Sequence, residues 1–195
     1  MIAEHPLHWK RFDRDEFYGL YRCGVITESY ELIEGELFTE TPVGRLHVYT
    51  VYLLIEWLKS LFGNGYVQQE NPVDVSSSEN RVSEPQPDAT VLKSHLLTYR
   101  EGNPGTDDIL FVAEVSESTL QDDLVRKAAL YARADFPEYW VLDISGRQIY
   151  VHREPREGRY TSVEIYGKEQ IVSLLAKPEI RVQVKTLFPQ ETDLI

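Results

Sequence analysis

The clearest periodic signal in the chain runs from residue 45 to residue 62, where Val51, Leu54, Ile55, Leu58, Leu61 and Phe62 recur three and four positions apart. That spacing places them on one face of an α-helix. Gly63 and Gly65 stop it, because glycine readily takes the left-handed conformation that closes a helix. A shorter helix is expected over 14–21, capped by Asp13. In YELIEGELFTE, Tyr30, Leu32 and Glu34 alternate with Glu31, Ile33 and Gly35. Alternation interrupted at Glu34-Gly35 predicts a β-hairpin, which Pro42 and Gly44 end.

A strand is expected over 66–75, then the polar loop SSSENRVSEPQ, then a strand that opens at Pro87-Asp88 and runs to Leu92. Residues 109–115 are almost continuously apolar, as in a strand buried on both faces. A helix over 122–134, a buried strand over 138–143 and an antiparallel hairpin of 148–153 with 159–165 follow. The tail, 172–175 with 182–184, predicts a short edge strand. On the 122–134 helix the apolar stripe is Leu124, Val125, Ala128, Ala129, Tyr131 and Ala132. Leu130 falls outside it, which points to cover from a second copy of the chain. Tyr131 and Trp140 are expected in the core. The order of elements predicts an α/β fold: a mixed β-sheet flanked by helices, one domain over 1–195 with a short helical extension at the N-terminus.

Composition narrows the function. With 42% hydrophobic and 27% charged residues over 195 positions, the chain can build a core without disulfides. One cysteine, Cys23, excludes an internal disulfide and a C-x-x-C zinc site, and fits a reducing cytoplasm. The first residues carry no apolar run of a signal peptide, and no stretch approaches the roughly 20 apolar residues of a membrane span. The net charge of −12 argues against broad electrostatic capture of nucleic acid. It leaves room for a local basic groove, with Arg45, Arg126 and Arg133 as candidate phosphate contacts, or for acids that a metal neutralises.

A carboxylate inside an apolar strand calls for an explanation, because burying an unpaired charge is costly. Glu114 lies near the end of ILFVAEV, on the face of Leu110 and Val112 by strand alternation. Asp88 opens the preceding strand. If the two strands are neighbours, the acids converge; at about 4 Å they repel by roughly 4 kcal/mol at an effective dielectric near 20. Mg²⁺, which prefers oxygen ligands, reverses that penalty. The alternative is two acids solvated separately. Lys127, at the margin of its helix stripe, can extend along the packed face toward Glu114 and stabilise charge on a reacting oxygen. The bland alternative is a flanking surface lysine.

Pro87-Asp88, Glu114 and Lys127 together resemble the PD-(D/E)XK nuclease superfamily with its lysine displaced. YELIEGELF, GRLH, QPDATVL, LFVAEVSEST, KAALYARADFPEYWVLD and the YVHRE…GRY end are, in order, similar to the Uma-two family of bacterial endonucleases. The resemblance implies a restriction-endonuclease-like fold, a Mg²⁺ (or Mn²⁺) site on Asp88, Glu114 and the Val115 carbonyl, DNA as substrate and often a homodimer. It adds Glu36 as a further acid and His47 as an imidazole over the same cluster. Against these stand an exposed strand glutamate and a satisfied core histidine. Ser116 occupies the superfamily's usual lysine position, so Lys127 has to substitute from the helix. A competing expectation, motivated by Ser116 and the acidic charge, is a nuclease fold that serves as a non-catalytic binding or assembly module. A third is an enzyme acting on RNA or a small phosphorylated substrate.

Overall fold

The computed structural model describes residues 9–28, 30–39, 44–76 and 78–190. Helix α1 (Arg14–Arg22) starts in a capping box: the Asp13 side chain accepts the Glu16 N–H while the Glu16 side chain accepts that of Asp13. The hairpin forms as expected, with β1 (Tyr30–Ile33) and β2 (Glu36–Thr39) joined by Glu34 and Gly35 at φ of 52° and 83°. Two consecutive positive φ angles make the tight turn that matches strand twist. Gly35 also has a steric reason: a Cβ there would come within 2.7 Å of the Arg11 Cβ. The Pro42 end of the hairpin lies outside the described residues. Helix α2 spans Arg45–Phe62 and ends at Gly63, as the periodicity predicts.

Six strands form the central sheet in the order β3-β4-β5-β6-β7-β8: Val67–Gln68, Ala89–Leu92, Ile109–Ser116, Glu138–Asp143, Gln148–Arg156 and Arg159–Gly167. Every neighbouring pair is antiparallel except β5 and β6. A parallel pair needs a crossover, and α3 supplies it. This helical run is Leu120–Asp122 in α form, Asp123–Lys127 in π form and Ala128–Arg133 in α form again. Helices thus flank a mixed sheet, the α/β class expected.

Each face of the sheet has its own core. On one, Val51, Leu54, Ile55 and Leu58 of α2 pack over Phe111, Ala113, Val115 and Trp140. On the other, Ala128, Leu130 and Tyr131 of α3 pack with Val112, Tyr139, Val141 and the hairpin's Ile33. Tyr131 and Trp140 are fully buried, as expected of core aromatics.

Four expectations need correction. Only Val67–Gln68 of the segment 66–75 is strand, and Glu70 at φ of 49° turns the chain out of the extended form. The tail strands β9 (Ile171–Leu174) and β10 (Lys177–Gln183) pair with each other as a separate two-stranded sheet and do not edge the main one. The register between β4 and β5 shifts so that Leu92 faces Ile109 and Val91 faces Phe111. Leu110 therefore joins the α2 side, not the Glu114 side. Finally, Leu130 is 0% exposed and Val125 58%, the reverse of the stripe read from an α period. In the π turn the Ala128 N–H reaches the Asp123 carbonyl five residues back, which shifts the phase of everything after it. Leu130 is covered within the chain and gives no argument for a second subunit.

Candidate active site

Asp88 and Glu114 are brought together by strand register. Ala89 faces Ala113 in the antiparallel β4–β5 ladder, so the residue before one and the residue after the other lie side by side. Asp88 is oriented from both ends: its Oδ2 accepts the Val115 N–H at 2.6 Å and its Oδ1 lies 3.4 Å from His47 Nε2. His47, in the first turn of α2, thus stands beside Asp88.

Glu114 faces α3. Its Oε1 accepts from the Lys127 ammonium at 3.0 Å and from the Tyr131 hydroxyl at 2.7 Å. Lys127 and Tyr131 are one α-turn apart, so both reach one strand residue. Lys127 is buried, not a surface lysine, and its Nζ also contacts Glu31 Oε2 at 2.7 Å. Below it the π turn is held by hydroxyls: the Ser116 and Thr119 side chains both donate to Asp123 Oδ2, Thr119 at 2.6 Å. Ser116 therefore braces the turn that carries Lys127 inward.

The electrostatics are unbalanced. Burial pushes the Glu114 carboxyl well above its usual range; Asp88, Glu31 and Asp123 push it further, and Lys127 opposes them. For Lys127, burial disfavours the charge, yet Glu114, Glu31 and Asp123 hold the ammonium well above its ordinary value, so it stays protonated. Burial also raises Asp123, against Lys127 and the two hydroxyls. Burial lowers His47, but Asp88, Glu70 and Glu117 outweigh it and its pKa is raised. The Tyr131 phenol, raised by burial and by Glu114, remains a donor.

Other sequence candidates lie elsewhere. Glu36 is exposed and pairs with Arg126 at 2.8 Å; the acid that reaches Lys127 from the hairpin is Glu31. Glu31 shares a strand face with Ile33, which packs beside α3, and that alternation was the available signal for it. Asp123 had no such signal, since its inward turn depends on the π segment. Arg126 is also bound to Asp122 at 3.0 Å, and Arg133 to Glu34 at 2.6 Å and to Glu79, so neither is a free phosphate contact. Arg45 is exposed. A cavity of about 560 Å³ at the β3 edge is lined by residues such as Lys59, Gln68, Asn71 and Tyr99, and by none of the clustered acids.

Among the described residues no three His, Cys, Asp or Glu side chains converge as a complete ligand set. The donors at Asp88 and Glu114 are all oxygen, which suits Mg²⁺: that ion commonly takes one or two carboxylates and completes its shell with water and phosphate. Among the described residues no helix is long and apolar enough to cross a membrane.

Comparison with known proteins agrees with this architecture. A solved chain from Anabaena variabilis, described as a "putative nuclease belonging to DUF820", superposes with a TM-score of 0.68 over 91% of this chain and 97% of its own, at 14% identity. At that identity the likeness concerns the fold. No curated protein matches the sequence. A family model matches residues 15–185, nearly the whole chain, and the protein belongs to that family, Uma2, described as "Putative restriction endonuclease".

Proposed function

We propose that the chain is a Mg²⁺- or Mn²⁺-dependent endonuclease that hydrolyses DNA phosphodiester bonds at the Asp88–Glu114 cluster. The observation that carries this reading is the convergence of Asp88 and Glu114 through the β4–β5 register, with Glu31 and Asp123 nearby and only Lys127 and His47 as basic partners. Acids gathered in a buried site disfavour one another's ionised forms, which is the direction in which Glu114 is shifted. A bound cation would favour the ionised forms instead.

The Asp88 and Glu114 carboxylates and the Val115 carbonyl are the donors that would hold the ion. When bound, a divalent ion there supplies charge neutralisation at a phosphate and a more acidic water. The remaining work falls to the chain. The Val115 N–H and His47 hold the Asp88 carboxylate in one orientation. Lys127 and Tyr131 both occupy Glu114 Oε1 and leave Oε2 for the metal side. An ammonium has three N–H donors. Two of those on Lys127 are taken by Glu31 and Glu114, and the third is available to a phosphate or attacking oxygen. In a water-poor pocket such a donor stabilises charge that develops during in-line attack.

Plasmid cleavage with Mg²⁺ or Mn²⁺ tests the reading, comparing wild type with Asp88→Ala and Glu114→Ala. Loss of cutting in both variants is expected; equal residual cutting by all three proteins would mean a contaminant and would sink the idea. Calorimetric titration with the same ions separates the enzyme from a non-catalytic module, which would show no uptake dependent on Asp88 and Glu114.

A further inference from the structure

We propose that Glu31 is a positioning residue of this site, acting on Glu114 through Lys127; the inference rests on the metal-dependent reading above. Glu31 is 8% exposed, and both of its oxygens are committed. Oε1 accepts the backbone N–H of Gln86 at 2.7 Å and Oε2 meets the Lys127 ammonium at 2.7 Å. Gln86 lies two residues before Asp88, so this one carboxylate ties the segment leading to Asp88 to the helix that carries Lys127. Its own backbone is fixed nearby, because Leu32 bridges Glu84 and accepts that residue's N–H at 2.6 Å.

The consequence concerns Glu114. Held from the hairpin side, the Lys127 ammonium meets Glu114 at Oε1, the oxygen that also accepts the Tyr131 hydroxyl. Two donors on one oxygen set the plane of the carboxylate and keep the other oxygen clear. Released from Glu31, the ammonium is free to straddle both oxygens of Glu114 and compete with a cation for the second. Groups that orient a metal ligand commonly contribute 10- to 100-fold to metal affinity, so a loss of about 10-fold is expected when Glu31 is altered. Reach matters as much as charge. Asp at this position is one methylene shorter, about 1.5 Å, and cannot keep both the Gln86 and the Lys127 contacts.

The experiment is calorimetric titration of Mn²⁺ into wild type, Glu31→Gln and Glu31→Asp, with thermal midpoints taken in parallel. Glu31→Gln retains an acceptor for the Gln86 N–H but loses the charge; Glu31→Asp retains the charge but loses the reach. Both variants are expected to bind Mn²⁺ about 10-fold more weakly, and in cleavage to lose kcat rather than raise KM. Wild-type affinity in Glu31→Asp would reduce Glu31 to a bulk charge and overturn positioning. Lowered thermal midpoints with unchanged Mn²⁺ affinity would make it purely structural and overturn it too. If Glu31→Gln does not fold, Glu31→Asp carries the test, since it leaves the charge beside Lys127. No Mn²⁺ uptake by the wild type would sink the metal-dependent reading itself, a result distinct from a wild type that binds and variants that bind equally well.

Discussion

Two buried glutamates sit on adjacent central strands, and their surroundings differ in kind. Glu138 on β6 is 0% exposed and accepts from Arg153 Nε at 2.8 Å, Trp140 Nε1 at 2.9 Å and the Leu175 N–H at 2.7 Å. One acid meets one guanidinium, and hydrogen bonds fill the remaining sites. Glu114 on β5 shares the Lys127 ammonium with Glu31, while Asp88 and Asp123 add further negative charge around it. A buried ion pair that closes on itself fixes packing: here Arg153 also donates to the Ser173 carbonyl, linking the sheet to β9. A buried cluster with surplus negative charge stays incomplete until a cation arrives. Burial alone does not distinguish structure from function; the charge count around the buried group does.

The largest expected effect tests the incomplete side. Asp88→Asn and Glu114→Gln should each lower the rate of DNA cleavage by about 10³-fold, equivalent to roughly 4 kcal/mol of transition-state stabilisation. They should leave the thermal midpoint of the metal-free protein unchanged or raised, because surplus charge is removed. A large fall in midpoint would place Glu114 in the same structural class as Glu138. The complementary change, Glu138→Ala, leaves Arg153 without its buried partner. It should cost about 3–5 kcal/mol in denaturant unfolding while Mn²⁺ uptake by the folded fraction is unchanged. Weakened uptake would dissolve the contrast.

A smaller effect sharpens it. Lys127→Ala should slow cleavage by about 100-fold, the scale of losing one well-placed donor to a charged transition state. Adding Ser116→Lys in that background restores an ammonium to the β5 end of the cluster and should recover part of the rate. No recovery would show that the position of the ammonium, set from the helix, matters more than its presence.

The smallest effect is in pH dependence. Because the native state holds a proton on Glu114 more tightly than the unfolded chain does, stability falls as pH rises above the ordinary carboxylate value of 4.5 and through the raised native value. Burial raises Glu138 as well, so it contributes with the same sign. Mn²⁺ should flatten only the part that Glu114 contributes, and Glu114→Gln should remove that part without metal. Thermal midpoints from about pH 5 to pH 8, with and without Mn²⁺, check this. A slope unchanged by either would assign the dependence to other groups.

What local pattern determines, the sequence by itself determined here. The α2 stripe, the Asp13 cap, the Glu34-Gly35 turn and the apolar runs of β5 and β6 all express a period of 3.6 or 2 or a turn preference, which neighbouring residues decide among themselves. From these came the α/β class and, with the family resemblance, the Asp88 and Glu114 pair. Where the outcome depends on distant segments, the reading fell short. Glu31 and Glu36 lie on one face of the hairpin, and only its placement against α3 brings the first to Lys127 and the second to Arg126. Val125 and Leu130 exchange places because a π turn, braced by Ser116 and Thr119, resets the helical phase. That same turn delivers Lys127 to Glu114. A periodic pattern is written in the chain, but the reach of one charged group to another is a distance across the fold, and tertiary structure alone sets it.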